Sequence, residues 1–514
     1  MNENDPELFT IKMTRALEDN VFATGITIFE MMEIAGKVVA EEISKYAKNN
    51  SIENIVMLSG FGNNGGDALV AAKYLIEEGF NCEIILVGDK KRFNSQASQK
   101  NYDKLLEILP NDRWFEIKTK KNVEVVLNKI NERSIVVDAL FGIGIQGKLK
   151  EPYKTVVEFL NKNLECDIIS LDIPSGYNPE ILSEIYVKKP KLIICLGRNK
   201  IKQEDFTESS IIVRNIGISE ESEICVGIGD LKWFFPKRKK SSHKRQNGVV
   251  TVIAGSKDYV GAPALAGFGA FRTGADLVFI ITPANIRETV ASFAPDFITI
   301  PAHENEIEPI DIKKTFEHPR LKGSAFVIGP GMMVTITTKE TLLEFLKNKE
   351  QRQVIIDASA LSVMEENHLS LLQFHKSILT PHGGEFSRIF KKKFTGVLEK
   401  DMKIVEEAAK RWKTTILLKG ENDIISNGVR TKINKTGHPG MTVGGTGDVL
   451  TGIVASILSV TDDTFISAAL GAFISGAAGE LASENFGDGL MASDIPKYIH
   501  KIIDKAMNFK AKEI

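Results

Sequence analysis

Short β-branched runs alternate with segments of helical apolar spacing along the first ~220 residues, and few folds accept that alternation. Ile55-Val56-Met57-Leu58 reads as a strand, Asp67 to Glu78 as a helix with Leu69, Ala72 and Leu75 on one face, and Ile84 to Val87 as the next strand. Ile135-Val136-Val137, Ile168 to Leu171 and Leu192 to Leu196 continue the series. Strands that alternate with helices build a parallel sheet covered on both faces. A second α/β pattern starts at Val249-Val250-Thr251-Val252-Ile253 and runs to the end of the chain. Between them, from Glu220 to Gly248, the pattern lapses, which predicts two domains, 1–225 and 226–514. The lapse carries a basic stretch, Lys237-Arg238-Lys239-Lys240 and then His243-Lys244-Arg245. A nucleic-acid patch or targeting signal is one reading of it, and a solvated linker is the one adopted.

Composition narrows the class. Apolar residues make up 43% and charged residues 26% of the 514, enough for a real core in each domain. A net charge of −2 gives no reason to expect a nucleic-acid or membrane partner. Cys82, Cys166, Cys195 and Cys225 are far apart with no CxxC pair, which argues against a zinc site or a disulfide framework and fits a reducing cytoplasm. The start, MNENDPELFT, has no apolar signal core. The uncharged tract Thr464 to Gly479 falls short of the roughly 20 residues that span a bilayer, and its Ala and Gly content predicts a buried helix.

In the first half, Ile55–Leu58 runs into Gly60-Phe61-Gly62-Asn63-Asn64-Gly65-Gly66-Asp67, and a helix follows. Gly60, Gly62 and Gly65 satisfy G-x-G-x-x-G, where glycines let the backbone approach a diphosphate and the helix N-terminus supplies N–H donors. Asp89, after the next strand, stands where a ribose-binding acid would, so a hydride-transferring dehydrogenase is one reading. Two further strand ends change the weighting. Val137 leads into Asp138-Ala139-Leu140-Phe141-Gly142-Ile143-Gly144, and Leu171 into Asp172-Ile173-Pro174-Ser175-Gly176. Ligands of open parallel sheets bind outside the carboxyl ends of the strands, so Asn64, Asp138 and Ser175 are expected to converge. Three oxygens with one charge suit a weakly bound hard cation better than zinc. A turn-capping role for Asp138 is the alternative.

These segments, with Met32-Glu33-Ile34-Ala35-Gly36 and Ile216-Gly217-Ile218, resemble the NAD(P)H-hydrate epimerase family over residues ~10 to 220, the span of the alternating pattern. The resemblance implies a Rossmann-like parallel-sheet sandwich and one potassium ion on Asn64, Asp138 and Ser175. It also implies a hydrated nicotinamide nucleotide on Asn63, Asn64, Gly65, Gly66 and Asp67, on Gly142, Ile143, Gly144, Ile145, Gln146, Gly147 and Lys148, and on Asp172. Asp138 is expected to serve as acid and base in epimerisation. Ile34 departs from the family, where a polar residue is common.

In the second half, Gly329-Pro330-Gly331 follows a strand at Phe326-Val327-Ile328, and Thr380-Pro381-His382-Gly383-Gly384-Glu385-Phe386 follows another. Leu417-Leu418-Lys419-Gly420 ends a third and could hold a nucleotide. Gly444-Gly445-Thr446-Gly447-Asp448 opens the apolar helix pattern Val449 to Val454, which puts N–H groups around a phosphate and Asp448 at the mouth as a base. That motif resembles the ribokinase superfamily, an α/β/α fold. With His243-Lys244, Gly255-Ser256 and Gly261-Ala262-Pro263, the second half is similar to NAD(P)H-hydrate dehydratases. The resemblance places the hydrate on Ala262, Gly331, His382 and Asp448, and the adenine nucleotide on Lys419, Gly420, Glu421, Asn422, Asp423 and Gly447. A core or turn histidine is the other reading of His382. Arg245 and Ser359 depart from the family's usual glycine and aspartate.

Together the halves imply nicotinamide nucleotide repair. One epimerises hydrated NADH and NADPH, and the other dehydrates the S form at the expense of ADP, accompanied by magnesium. ADP is favoured over ATP because a fused chain with no targeting segment resembles prokaryotic members. A cytoplasmic homo-oligomer acting on small molecules, with no nucleic acid and no membrane, is expected. The alternatives are a ribokinase-like small-molecule kinase with an accessory N-terminal binding domain, and a non-catalytic binding scaffold.

Overall fold

The computed structural model describes residues 8–514 apart from 90, 145–146, 164 and 182–183. It separates into two compact units, one running to Glu220 and taking in Lys510–Ile514, the other Glu221–Phe509. The boundary thus falls five residues before the position expected from the sequence, 220/221 against 225/226, because residues 221–230 are tied to the second unit. The Val226 N–H donates to the Ile433 carbonyl at 2.8 Å, and Lys432 and Lys435 pair with Asp230 and Glu221 at 2.7 and 2.5 Å. The tail belongs elsewhere. The Lys512 and Glu513 carbonyls accept from the Ile28 and Phe29 N–H groups at 2.9 and 3.0 Å. Those donors open the helix Ile28–Asn50, where no carbonyl of the helix itself can reach them.

In the first unit, seven parallel strands run in the order β3-β2-β1-β4-β5-β6-β7. They are β1 (Asn54–Ser59), β2 (Asn81–Val87), β3 (Trp114–Ile117), β4 (Ser134–Ala139), β5 (Asp167–Leu171), β6 (Leu192–Leu196) and β7 (Ser210–Arg214). Alternate residues face opposite layers. Ile55 and Met57 pack with α1 (Ile11–Ala23), α2 (Ile28–Asn50) and α3 (Asn63–Glu77), whereas Val56 and Leu58 pack with Val123, Val156 and Leu160 behind the sheet. Both faces being covered explains why the inner strands are apolar without alternation. The order turns outward on either side of β1 and β4, so their carboxyl ends flank the crevice where such sheets bind ligands.

The second unit has nine strands: β8 (Val249–Ile253), β9 (Leu277–Thr282), β10 (Ile298–Pro301), β11 (Ala325–Ile328), β12 (Gln353–Ile356), β13 (Lys376–Leu379), β14 (Thr415–Leu418), β15 (Asp423–Ser426) and β16 (Thr431–Asn434). Their order is β10-β9-β8-β11-β12-β13-β14-β15-β16, parallel except at the last two pairings. The switch point lies between β8 and β11. Helix Thr464–Phe486 is long and apolar enough to cross a bilayer by length and composition, yet it is mostly buried, as the Ala- and Gly-rich tract predicts.

Helix Thr446–Thr461 carries the glycine motif at its start and is fixed by a close backbone contact with helix Ala262–Thr273. A Cβ on Gly452 would stand 1.9 Å from the Ala266 carbonyl oxygen, and one on Gly269 2.3 Å from that of Val449. Backbone cannot step aside as a flexible side chain can. Gly452→Ala is therefore expected to lower the stability of the second unit by about 1–3 kcal/mol, the usual cost of overpacking. An unchanged melting temperature would contradict the helix contact described here.

Candidate active sites

The first site forms at the carboxyl ends of β1, β4 and β5. Gly60 leaves β1 so close to the β4 loop that a Cβ there would lie 2.0 Å from the Leu140 carbonyl oxygen. α3 then begins at Asn63 with Gly62 as its N-cap and no side chain closing its first N–H groups. Asn63 is exposed, and its Oδ1 accepts from the Ser95 hydroxyl at 2.8 Å. Asn64 is buried; its Nδ2 donates to the Leu171 carbonyl at 3.3 Å, while its Oδ1 has no hydrogen-bond partner. Asp138 ends β4 at 0% exposure. Its Oδ2 accepts from the Ser170 hydroxyl at 2.9 Å and the Ser175 N–H at 2.8 Å, and its Oδ1 also lacks a partner. Burial pushes its carboxyl above the usual range, against the hydrogen bonds from Ser175 and Ser170. The Ser175 hydroxyl accepts from the Phe141 N–H at 3.1 Å.

Beside this oxygen cluster stands a charged one. Asp172 follows β5 in a left-handed conformation, φ 64°, that is uncommon for a residue with a side chain. Its Oδ1 pairs with Lys200 Nζ, and Lys200 also donates to the Leu196 carbonyl at 2.7 Å at 1% exposure. The other oxygen faces the β4 loop, 3.0 Å from where a Cβ on Gly142 would stand. Burial, then the charges of Asp172 and Glu18, hold Asp67 well above the usual carboxylate range. Burial likewise raises Glu18, with Arg15 acting against it. Arg15 approaches the position of a Gly144 Cβ to 3.2 Å, so α1 reaches the loop.

The structure sorts the residues expected to hold the nucleotide. Asn63, Gly144, Gly147 and Lys148 are exposed. Gly65 and Gly66 are buried against packed neighbours, and Ile143 packs with Ile173 and Tyr177, so each can offer at most its backbone. Ile145 and Gln146 lie outside the described residues. Asp89 is exposed beyond β2. Among the described residues, no three His, Cys, Asp or Glu side chains gather as a metal site.

The second site gathers the ends of β11, β12, β13 and β14 with the start of helix Thr446–Thr461. Gly445 caps that helix at φ 97° without any side-chain bond, leaving first-turn N–H groups open at the surface. Asp448 sits in this turn. Burial first, and the charge of Asp357 second, push its carboxyl up to about 7, with Lys419 acting against them. Lys419 Nζ pairs with Asp357 Oδ1 at 2.7 Å, and a Cβ on Gly447 would lie 3.4 Å from that Nζ. His382 proves to be the N-cap of helix Gly383–Phe390. Its Nδ1 accepts from Gly384 N–H at 3.0 Å, which leaves Nε2 at the exposed face. His382 is therefore a turn histidine that caps a helix and stays at the surface, not a core one. Ala262 and Gly331 adjoin each other, a Cβ on Gly331 falling 2.7 Å from that of Ala262. Asp423 closes the β14–β15 turn by accepting from Gly420 N–H at 3.1 Å and from Asn434 at 3.0 Å, beside exposed Glu421 and half-buried Asn422.

Reasoning from motifs missed Arg15, Glu18, Lys200 and Asp357. Asp357 directly follows a parallel strand as Asp172 does, a signal that could have found it. Lys200 stands four residues beyond β6 with no pattern to mark it.

Both sites lie at the carboxyl ends of parallel strands beside an open helix N-terminus, which defines a pair of nucleotide-handling α/β units. Residues 250–501 match the family described as NAD(P)H-hydrate dehydratase, and residues 29–201 the family described as YjeF-related protein N-terminus. The bifunctional NAD(P)H-hydrate repair enzyme of Methanothermobacter thermautotrophicus is 35% identical over 500 residues, 95% of this chain and 94% of that one. The ADP-dependent (S)-NAD(P)H-hydrate dehydratase of Nitrosopumilus maritimus is 38% identical over 54% of this chain and 96% of its own. A Bacillus subtilis ADP/ATP-dependent NAD(P)H-hydrate dehydratase co-crystallised with ATP and magnesium is 26% identical, covering 55% of this chain and 98% of that one at a TM-score of 0.47. The chain belongs to the family of bifunctional NAD(P)H-hydrate repair enzymes.

The buried Lys200–Asp172 pair gives a direct check of the first site. Lys200→Met leaves a buried carboxylate without its cation and is expected to destabilise the first unit by about 3–5 kcal/mol at neutral pH. Denaturant titrations of both proteins at neutral pH measure this, and equal stabilities would contradict it.

Proposed function

We propose that the chain repairs hydrated NADH and NADPH in two reactions, one in each unit. Water added across the 5,6 double bond of the nicotinamide ring leaves R and S epimers at C6. In the first unit, the ring nitrogen's lone pair expels the C6 hydroxyl, an iminium forms, and water returns to either face. The departing hydroxyl takes up a proton and the returning water gives one back. Asp138 was expected to carry that proton as well as to hold a cation, and its complete burial beneath Ser170 and Ser175 supports the second role. Asp172, steadied by Lys200 and turned towards Gly142, is the better acid–base group, with Asp67 beside it.

The unpartnered buried oxygens of Asn64 and Asp138, at the carboxyl ends of neighbouring strands, together with the Ser175 hydroxyl, fit a potassium ion. Asn64, Asp138 and Ser175 would hold it, and it would supply fixed positive charge beneath the crevice. The 63–67 turn, the 142–148 loop and Asp172 then bind the hydrate.

In the second unit, hydroxide is a poor leaving group, and phosphorylation corrects this. Asp448 takes the proton of the C6 hydroxyl, and that oxygen receives the β-phosphoryl of ADP, releasing AMP. The 444–447 turn and Lys419 stabilise charge on the group in flight. The C6–O bond then breaks with phosphate as leaving group, C5 loses a proton and the double bond returns. Ala262, Gly331 and His382 bind the hydrate, while Lys419, Gly420, Glu421, Asn422, Asp423 and Gly447 bind the adenine nucleotide. Magnesium accompanies the phosphates. The observation that carries this reading is Asp448 in an open glycine turn beside a lysine, in a chain of this family. With its carboxyl raised to about 7, the base is in its working, ionised form only above that pH. Dehydration should therefore slow about tenfold per unit below it.

Variants separate the two reactions. Given a mixture of both epimers and ADP, the wild type should restore nearly all the reduced cofactor. Asp138→Ala, which removes the one charged ligand of the cation beneath the crevice, should show a fast phase limited to the S fraction and then a slow one. Asp448→Asn should keep nucleotide binding and lose both phases while R and S still exchange, as chromatography follows. A single fast phase to completion in Asp138→Ala would overturn the epimerase assignment, and wild-type turnover in Asp448→Asn the assignment of the base. A stable phosphorylated product would identify the second unit as a small-molecule kinase instead.

A further inference from the structure

Asp357 is a buried carboxylate with no local task. It directly follows β12 at 1% exposure and precedes the short helix Ala358–Ser362 without a side-chain capping bond. The next residue, Ala358, holds φ 49°, a left-handed conformation that a methyl side chain rarely adopts. A carboxylate taken out of water needs a partner, and Asp357 finds one across the sheet in Lys419 Nζ at 2.7 Å. Its second oxygen, Oδ2, turns to the glycine motif, 3.6 Å from where a Cβ on Gly447 would stand. Buried ion pairs add little stability over apolar residues of the same shape, so stability alone does not account for this one. Its place does, between the end of β14 and the turn that receives a phosphoryl group.

We propose that Asp357 is a positioning residue for phosphoryl transfer, holding Lys419 over the 444–447 turn and setting the charge against which Asp448 works. This rests on the reading of Asp448 as the base. Two carboxylates and one lysine then share the site. The negative charge of Asp357 makes Asp448 a stronger base, and Lys419 moderates it. Burial pulls the lysine down, but Asp357, Glu385 and Asp448 outweigh that and keep it cationic. The charged groups around the pair are Glu385 on helix Gly383–Phe390, with His382 Nε2 at 3.6 Å from it, and Asp423 at the start of β15.

The signs of the charges give a test that mere support of the fold would not pass. The rate of S-hydrate dehydration at saturating ADP is followed against pH in the wild type and in three variants. Asp357→Asn removes a negative charge beside Asp448, so its acid limb should move to lower pH by about one unit, at the low end for a charge a few ångströms away. Its plateau rate should fall, because the base is weaker. Lys419→Met should move the limb to higher pH. Asp357→Glu, which keeps the charge, should hold the limb within a fraction of the Asp357→Asn shift. Limbs that stay fixed, or that move in the same direction in Asp357→Asn and Lys419→Met, overturn the proposal. Should Asp357→Asn fail to fold, Lys419→Met and Asp357→Glu still decide it: an unmoved limb in the first or a displaced one in the second overturns it. Asp448→Asn separates this from the reading beneath it. Inactive Asp448→Asn with fixed limbs defeats the role of Asp357 alone, whereas active Asp448→Asn defeats both.

Discussion

The first N–H groups of a helix have no carbonyl of their own to meet, and both units leave them open at the end of a parallel strand. In the first unit, α3 starts at Asn63 behind Gly62; in the second, helix Thr446–Thr461 starts behind Gly445, and neither cap contributes a side-chain bond. Those donors need an acceptor, and a phosphate or a polar nucleotide supplies one. Much of the surrounding structure holds the two turns in place. The contact of Gly60 with the β4 loop and the backbone approach of Gly452 to Ala266 leave the helices no freedom to withdraw.

The same device serves different chemistry because different side chains surround it. Neutral oxygens and one buried carboxylate stand under the first turn, and two of those oxygens have no partner. A charged cluster flanks them, Lys200 on Asp172 with Asp67 and Glu18 raised by burial. Such a set can move protons and steady a cationic ring without transferring any group. The second turn faces Lys419, Asp357 and Asp448, which can deprotonate a hydroxyl and neutralise a phosphoryl in flight. Epimerisation and dehydration need these two kinds of environment.

How much the sequence revealed follows from the range over which each signal acts. The inner strands of the first sheet were legible because burial on two faces makes them continuously apolar. β3 and β7 were not, since an edge strand such as Ser210–Arg214 is half exposed and carries no strong pattern. The domain boundary was misplaced because residues 221–230 join the second unit through pairings with Ile433, Lys432 and Lys435, some 200 residues away. Motif residues such as Asn64, Asp138 and Asp448 could be read because local backbone geometry demands their neighbours. Lys200 and Asp357 act through partners that only folding brings near. His382 was ambiguous in the sequence, and the structure shows why: one ring nitrogen caps a helix and the other stays exposed.

The central claim is that the C6 hydroxyl leaves as phosphate rather than as water. Oxygen labelling tests it directly. S-hydrate of NADH carrying ¹⁸O in the C6 hydroxyl is dehydrated with ADP, and the released phosphate and solvent are analysed by mass spectrometry. If the hydroxyl oxygen accepts the phosphoryl group and the C6–O bond then breaks, every phosphate released carries one labelled oxygen, in step with AMP and NADH. Label in water, with unlabelled phosphate, would contradict the account.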